Sequence, residues 1–255
     1  MFNIGDRKLR NVLVSCDHGL MVINRNDTTI TSVGGFLLEH GNNNTIEADV
    51  TMKALVDVEN PVIIDVGANI GTYTTWVARW FANKGGKVYA FEPQREVFQM
   101  LCANMAINNI FNVYAYECGI SDEEKYIDID VVDYDTIGSF AAFSLTHDPK
   151  RYQNTNKKQH IKVTTIDKFV EEQQLEKVDY IKIDAEGLDL EVLCGAHNTI
   201  SKFKPDLYIE YLNLGSSKDE DTSDEGYEKL DKILKEMGYN TVKIHHDIYA
   251  TVKPL

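Results

Sequence analysis

The segment NPVIIDVGANIGTYTTWVARWF, residues 60–81, constrains the fold more strongly than any other part of the chain. Its first half reads as a buried strand, VIID, followed by a turn that contains two glycines. Its second half has the spacing of a helix, with apolar side chains at Tyr73, Trp76, Val77 and Trp80. A strand that enters a helix through such a turn is a common way to bind nucleotide-like ligands, so this segment also bears on function.

The same order repeats along the chain. KVYAFEP predicts a second strand and REVFQMLCANMAIN a second helix, whose apolar stripe is Val97, Met100, Leu101 and Met105. NVYAYECGISD predicts a third strand, and DYIKIDAEG, DLEVLCGAHNTI, PDLYIEY and GYEKLDKILKEMG predict strand, helix, strand and helix before two terminal strands, NTVKIHH and IYATVKP. This alternation predicts an α/β, Rossmann-like fold with helices on both faces of a mostly parallel sheet.

Two regions depart from the alternation. Residues 1–59 carry two short strand-like runs, NVLVSC and GLMVIN, and a helix with a polar start at Thr45, which together predict a cap segment packed on the core. Residues 60–255 predict one domain with an insertion at about 123–160, where KYIDIDVV and HIKVTTIDKF alternate strictly and flank the polar residues 133–159. A long excursion inside a compact domain favours a lid or substrate loop.

The turn itself discriminates between ligands. A dinucleotide fold requires Gly-x-Gly-x-x-Gly, but Asn69 occupies the position of the second glycine, and the Gly-Lys-Ser/Thr ending of a phosphate loop is absent. S-adenosylmethionine suits the turn better, because Asp65, Gly67 and Asn69 could meet its amino-acid end. Glu92, at the end of the second strand, could accept hydrogen bonds from a ribose, with Pro93 against the adenine. The alternative is an ordinary strand-to-helix turn with no ligand.

The charge of the chain restricts its partners. A formal net charge of −14 disfavours nucleic acid, which is bound largely through Lys and Arg. The one basic stretch, PKRYQNTNKKQH, reads as a solvated loop. No apolar run approaches the roughly 18–20 residues of a membrane span, and MFNIGDRKLRNVLVSCDHG lacks the pattern of a signal peptide. We therefore expect a cytoplasmic protein without a transmembrane segment; the sequence carries no signal for an oligomeric state.

Several motifs together resemble the FkbM family of S-adenosylmethionine-dependent methyltransferases: VIIDVGANIGTYT, VYAFEPQREVFQMLCANMAINN, GISD, VTTIDKF, VDYIKIDAEGLDLEVLCGA and PDLYIEY. The resemblance runs from about Thr45 to Gly238, and IKIDAEGLDLEVLCGA is its most specific part. It implies a class I methyltransferase fold with a seven-stranded, mostly parallel sheet whose last strand is antiparallel. It also implies cofactor contacts at Asp65, Gly67, Asn69, Gly71, Thr72, Glu92, Pro93, Gly119, Ile120, Ser121 and Asp122.

The binding site for the methyl acceptor is expected beyond the carboxyl ends of the fourth and fifth strands. Period-two alternation places Lys182 and Asp184 on one face of the fourth strand, with Glu186 just past its end. A hydroxyl acceptor must lose a proton, so Asp184 or Glu186 is predicted as its base or anchor and Lys182 as a positioning group. An internal ion pair that only fastens the strand end is the alternative. Glu210, which ends the fifth strand, is predicted to face the same cleft.

These observations lead to one hypothesis and two alternatives. The chain is predicted to be an S-adenosylmethionine-dependent O-methyltransferase for a hydroxyl of a sugar, glycan or small natural product, with S-adenosylhomocysteine as its product. Glu210 with Asp184 could hold a divalent metal that polarises the oxygen, but two or three carboxylates do not define such a site, and no metal is predicted. The alternatives are an oxidoreductase dependent on NAD or a nucleotide sugar, and a non-catalytic cofactor-binding partner in a biosynthetic assembly.

Overall fold

The computed structural model describes residues 9–29, 32–42, 45–140, 154–211 and 223–254. The N-terminal elements are β1 (Asn11–Cys16), β2 (Gly19–Asn24), α1 (Val33–His40) and α2 (Thr45–Ala54). The middle of the chain forms β3 (Val62–Val66), α3 (Thr72–Phe81), β4 (Lys87–Phe91), α4 (Arg95–Ile107), β5 (Val113–Tyr116), β6 (Gly119–Ile120), β7 (Lys125–Val132) and β8 (Asn154–Thr164). The remaining elements are α5 (Ile166–Glu172), β9 (Tyr180–Ile183), α6 (Asp189–Cys194), α7 (His197–Phe203), β10 (Asp206–Glu210), α8 (Ser223–Glu236), β11 (Asn240–Ile244) and β12 (Asp247–Thr251).

The central sheet has seven strands in the order β11-β12-β10-β9-β3-β4-β5. Strands β5, β4, β3, β9 and β10 pair in parallel, whereas β12 is antiparallel to both of its neighbours. The predicted mostly parallel sheet with an antiparallel last strand is confirmed. Parallel strands place their carboxyl ends at one edge, so β3, β4 and β9 end side by side.

Both faces of the sheet are covered by helices, as predicted. Ile64, Ile181 and Ile183 lie on the face packed by α5, α6, α7 and α8, whereas Ile63 and Tyr180 lie on the face packed by α2, α3 and α4. This alternation is the period of two expected for a strand. It puts Lys182 on the same face as Tyr180, toward α2 and α3.

Helix α3 buries Tyr73 and Val77 of the predicted stripe but not Trp80. The predicted stripe includes Trp80, which is 55% exposed, whereas Thr74, Ala78 and Phe81 are buried together with Val77. Small side chains at Thr74 and Ala78 let the helix approach the sheet closely, so the buried arc is turned away from the larger Trp80. Counting large apolar residues therefore misplaced the centre of the face.

The insertion forms a second, three-stranded sheet in the order β6-β8-β7. The predicted polar excursion over 133–159 is too long, because β8 already begins at Asn154. HIKVTTIDKF is also not a strand throughout, since Thr165 accepts a hydrogen bond from the backbone N–H of Lys168 and starts α5. Of the proposed lid over residues 133–159, residues 141–153 lie outside the described ranges, and its role stays a prediction.

The single helix predicted from DLEVLCGAHNTI is two helices, α6 and α7. The break is at Gly195, where a Cβ atom would lie 2.1 Å from the backbone oxygen of Ser121. Asp167 then accepts hydrogen bonds from the backbone N–H groups of Asn198 and Thr199 at the start of α7. Close contact with Ser121 therefore leaves room only for a glycine between the two helices, and Asp167 of α5 caps the start of α7.

The N-terminal elements pack directly on the rest of the chain. Met21 and Ile23 of β2 share an apolar cluster with Val97 and Met100 of α4. The side chain of Asn104 of α4 also accepts a hydrogen bond from the N–H of Val22 and donates one to the carbonyl of Val22. These contacts fix β1 and β2 on α4; the division into a cap and a methyltransferase domain stays a prediction.

Candidate active site

A cavity of about 550 Å³ lies at the carboxyl ends of β3, β4 and β9. This volume is within the usual range for a small-molecule site. The strand ends and following turns line it with Val66, Gly67, Ala68, Asn69, Phe91, Glu92, Pro93, Gln94, Cys118, Gly119, Ile120, Lys182, Asp184, Ala185 and Glu186. The helices supply Val33, Phe36, His40, Glu47, Thr72 and Tyr73, and the segment after α1 supplies Asn42. Most of the predicted site residues therefore line this one cavity.

The glycine turn is closed by its own hydrogen bonds. The N–H groups of Gly67 and Ala68 both donate to the carbonyl of Phe91, and that of Gly71 donates to Ala68. The N–H of Asn69 donates to Glu92 Oε2 at 3.1 Å, and that of Ile70 to Asn69 Oδ1 at 2.6 Å. The five N–H groups from Gly67 to Gly71 therefore all have hydrogen-bond partners within the protein. The first N–H groups of α3, which have no intrahelical partner, are the donors at this end.

Gly67 allows two strand ends to approach each other. Its φ is +77°, and a Cβ there would lie 1.8 Å from the carbonyl oxygen of Asp184. Any other residue at this position would push the turn away from the end of β9. The first glycine of the motif is therefore required by backbone contact between β3 and β9.

Glu92 is oriented by the backbone around it. Its Oε1 accepts from the N–H of Gln94 at 2.8 Å and its Oε2 from the N–H of Asn69 at 3.1 Å. Burial raises the pKa of Glu92 to about 7, because desolvation outweighs the two backbone hydrogen bonds. Each oxygen keeps a lone pair, and the residue lines the cavity, so the carboxylate can accept further hydrogen bonds from a ligand.

The wall beside Glu92 is built from two loops. Gln94 is fixed because Tyr134 Oη donates to its Oε1 at 2.9 Å and its Nε2 donates to the carbonyl of Phe140 at 3.2 Å. Cys118, Gly119 and Ile120 form the neighbouring wall. Ser121 and Asp122 do not line the cavity; the Ser121 hydroxyl donates to Asp122 Oδ1 at 3.1 Å, under α6.

Lys182 is a buried cation among three acids. Its Nζ lies 3.1 Å from Asp184 Oδ2, 3.7 Å from Glu47 Oε2 and 3.9 Å from Asp65 Oδ1. Burial alone would lower the pKa of Lys182, but Asp184, Glu47 and Asp65 together raise it well above its usual value. Lys182 is therefore a fixed positive charge in the floor of the cavity.

Asp65 and Gly71 do not reach the cavity. Asp65 is fully buried in β3, where Thr74 of α3 donates to its Oδ2 at 2.5 Å. Gly71, with φ +90°, precedes α3 and packs against Leu101 and Met105. Both residues affect the site indirectly. Asp65 lies close to Lys182, and Gly71 precedes the first residue of α3.

Asp184, Glu186 and Glu210 form an acidic cluster at the ends of β9 and β10. Each can offer one carboxylate oxygen, and these oxygens lie within 4.8 Å of one another. Glu210 does not line the cavity, and its Oε2 has no hydrogen-bond partner among the described residues. Burial first, and then Asp184 and Glu186, raise the pKa of Glu210 well above its usual value. The absence of a metal stays a prediction.

The loop after β9 is held by a residue that the sequence did not single out. Asp189 accepts from the N–H of Ala185 at 2.8 Å and from that of Gly187 at 3.1 Å. Glu186, between them, has a φ of +48°. Asp189 therefore fixes the backbone that carries Glu186, in the way an N-cap residue holds the start of a helix.

The N-terminal segment supplies site residues that sequence reasoning missed. Glu47 of α2 lines the cavity and is 7% exposed, and Phe36 and His40 of α1 form part of the opposite wall. Their distance in sequence from the glycine turn hid them. One signal was present: Glu47 and Thr51 lie one turn apart on the apolar side of α2 with Ala48 and Met52, where a charged residue is unexpected.

A family model of the methyltransferase FkbM domain matches residues 65–241, from the end of β3 to the start of β11. The chain belongs to the FkbM methyltransferase family. The resemblance drawn from the motifs is thereby confirmed. The FkbM match covers the glycine turn, Glu92 and the acids after β9.

Individual relatives agree with this assignment. Methyltransferase sdnD of Sordaria araneosa is 28% identical over 161 residues, covering 53% of this chain and 60% of that protein. The hexuronic acid methyltransferase AglP of Haloferax volcanii is 28% identical over 155 residues, covering 60% of this chain and 58% of that protein. The chain thus matches somewhat less than two thirds of the length of these curated relatives.

The fold also matches a solved FkbM structure. The crystal structure of methyltransferase FkbM from Methylobacillus flagellatus KT superimposes with a TM-score of 0.50 at 19% identity, over 81% of this chain and 53% of that one. The fold of the present chain is accordingly that of a class I methyltransferase. Among the described residues, no helix combines the length and apolarity that a bilayer crossing requires. The cytoplasmic location and the lack of a nucleic-acid partner stay predictions.

Proposed function

We propose that this FkbM-family chain is an S-adenosylmethionine-dependent O-methyltransferase that acts on a hydroxyl of a sugar, a glycan or a small natural product. The observation that carries the proposal is the setting of Glu92, an acid oriented by two backbone N–H groups at the edge of a ligand-sized cavity. Family membership supports methyl transfer. The name of the Haloferax volcanii relative, a hexuronic acid methyltransferase, supports a sugar acceptor.

The residues of the cavity suit the cofactor. Glu92 has lone pairs left for the two ribose hydroxyls, and Pro93 and Ile120 provide an apolar wall for an adenine. The N-terminal N–H groups of α3 suit the methionine carboxylate, because a helix N-terminus favours anions. Thr72, in the first turn of α3, lines the cavity at this point.

S-adenosylmethionine, when bound, supplies a methyl group on a positively charged sulfur. The chain has to hold a hydroxyl oxygen in line with that group, and such orientation lowers the barrier substantially. Asp184 and Glu186, which line the cavity, would accept hydrogen bonds from acceptor hydroxyls. Lys182 fixes Asp184 through the 3.1 Å contact, and Glu210 lies behind both acids. Their negative charge also favours a cationic sulfur nearby.

The experiment that tests the proposal is transfer of a labelled methyl group from S-adenosylmethionine to a panel of sugars and polyols. We expect turnover by the wild type and, for Asp184→Asn, a loss of kcat/KM of about 10- to 100-fold, as for one lost hydrogen bond to a charged group. The dissociation constant for S-adenosylhomocysteine, measured by calorimetry, should change little. Asp128→Asn is the matched control, because Asp128 lies on β7 and is 63% exposed.

Two results would overturn the proposal. Failure of S-adenosylhomocysteine to bind, with a thermal shift by NAD instead, would favour an oxidoreductase. Binding of S-adenosylhomocysteine without transfer to any hydroxyl acceptor would favour a non-catalytic cofactor-binding protein. Normal turnover by Asp184→Asn would refute the role of Asp184 alone.

A further inference from the structure

The N-terminal segment places an acid inside the cavity. Glu47 lies in the first turn of α2, is 7% exposed and lines the cavity together with Tyr73 and Asp184. Its Oε2 is 3.7 Å from Lys182 Nζ, which in turn is 3.1 Å from Asp184 Oδ2. Lys182 therefore lies between two carboxylates, one from β9 and one from outside the central sheet.

Glu47 is more than a counterion for Lys182. The lysine already has Asp184 at 3.1 Å and Asp65 at 3.9 Å, so it has counterions besides Glu47. A titratable side chain that is buried and lines a ligand-sized cavity is a candidate for function. The helix itself is anchored without this carboxylate, because Thr51 contacts the hydroxyl of Tyr73 at 2.9 Å.

The surroundings of Glu47 set its affinity for a proton. The charged and titratable groups that face it are Asp65 from β3, Tyr73 from α3, Lys182 from β9, Asp184 directly after β9, Tyr208 from β10 and Asp247 from β12. Burial raises the pKa of Glu47 to about 8, with Lys182 opposing the shift and Asp184, Asp247 and Asp65 adding to it. A base is most effective when its proton affinity is matched to the working pH.

We propose that Glu47 is the general base of the methyl transfer. In this step the acceptor O–H bond breaks and its proton passes to the Glu47 carboxylate. The oxygen forms a bond to the methyl group, and the electron pair of the broken S–C bond stays on sulfur. Asp184 is a poorer choice, because its Oδ2 already accepts a charge-assisted hydrogen bond from Lys182. Glu210 is excluded because it does not line the cavity.

The proposal rests on the proposed function and is tested with Glu47→Gln, which keeps the shape of the side chain and removes the base. We expect kcat to fall by about 100- to 10,000-fold, while the dissociation constant for S-adenosylhomocysteine stays close to wild type. The wild-type kcat should rise between pH 6 and pH 9 and level off, and this rise should be lost in the variant. Glu47→Asp, which keeps a carboxylate, should restore part of the activity. Asp49→Asn, on the exposed side of the same helix, is the control.

The outcomes separate the two proposals. Absence of methyl transfer by the wild type would remove the proposed function and this role with it. Transfer by the wild type with kcat of Glu47→Gln within about threefold would refute only the role of Glu47. A loss in Glu47→Gln that appears as weaker binding of S-adenosylhomocysteine, at unchanged kcat, would also refute it, since Glu47 would then hold the cofactor.

Discussion

Glu92 has its hydrogen-bonding geometry in place before any ligand arrives. Both of its oxygens accept backbone N–H groups, and a carboxylate can do this whereas an amide cannot, because one end of an amide is a donor. The residue therefore needs little reorganisation to receive two hydroxyl groups. Preorganised acceptors of this kind contribute to affinity because no ordering is left to be done on binding.

For Glu92→Gln we expect weaker binding of S-adenosylhomocysteine by about 10- to 100-fold, since a hydrogen bond to a charged acceptor contributes about 1.5–3 kcal/mol. The amide N–H₂ would also face the N–H of Asn69 or Gln94. Isothermal titration calorimetry measures the effect, and Glu96→Gln, on the surface of α4, serves as the control. Unchanged affinity in Glu92→Gln would show that the ribose is held elsewhere.

The position of single residues was predictable from the sequence where a strand end alone decides it, whereas their roles stay predictions. Gly67, Asn69, Glu92 and Asp184 follow or end neighbouring strands, and all of them line the cavity. Asp65 lies inside β3, so the alternation of the strand turns it toward Thr74 and away from the cavity. Motif spacing cannot distinguish an acid that contacts a ligand from one that contacts a helix.

The junction of β3 with β9 depends on one glycine. Gly67 and Gly238 both have positive φ, +77° and +86°, but only Gly67 has a backbone atom in the way of a Cβ. None of the described atoms lies within 4 Å of a Cβ on Gly238. Substituting each glycine in turn therefore separates the free-energy cost of the left-handed backbone conformation from that of the contact with Asp184.

We expect Gly238→Ala to lower the free energy of unfolding by about 1–2 kcal/mol, the cost of the left-handed conformation. Gly67→Ala should lower it by roughly 1–3 kcal/mol more, the usual range for overpacking, and should also weaken binding of S-adenosylhomocysteine. Urea denaturation followed by circular dichroism gives both values. An equal loss in the two variants would mean that the turn can move away from Asp184 without cost.

The order of the elements was predictable because each carries its own periodicity, but their ends and faces were not. Gly195 lies between α6 and α7 in close contact with Ser121, which is more than seventy positions earlier in the chain, and no local pattern in DLEVLCGAHNTI shows this contact. Likewise, the exposed Trp80 became distinguishable from the buried Phe81 only once the sheet was in place. Long-range packing decides such details.

At the scale of the whole molecule, the cavity is shared by two parts of the chain. The central sheet provides Lys182 and Asp184, and α1 and α2 provide Phe36, His40 and Glu47. Sequence reasoning found the first part through its motifs, whereas the second follows no motif and was predicted only as a cap. The acidity of the chain was evident from its composition, but its concentration around Lys182 required the fold.

This buried negative charge predicts how the stability of the ligand-free protein depends on pH. Burial raises the pKa of Glu92 to about 7 and that of Glu47 to about 8, each from an ordinary value of 4.5. Between the ordinary pKa of 4.5 and the raised pKa of each group, the folded state binds more protons than the unfolded state. The free energy of unfolding therefore decreases as pH rises through this range. These contributions are fully present below about pH 4.5 and are lost as pH passes through about 7 and 8.

We therefore expect the free energy of unfolding, measured by urea denaturation at constant ionic strength, to be larger at pH 5.5 than at pH 8.5, by a few kcal/mol as one pKa unit corresponds to about 1.4 kcal/mol. Glu47→Gln should reduce this difference, since glutamine does not titrate, whereas Asp49→Asn should not. A wild-type stability that rises toward pH 8.5 would contradict the prediction, because it would require Glu92 and Glu47 to be better stabilised as anions in the folded chain than in water.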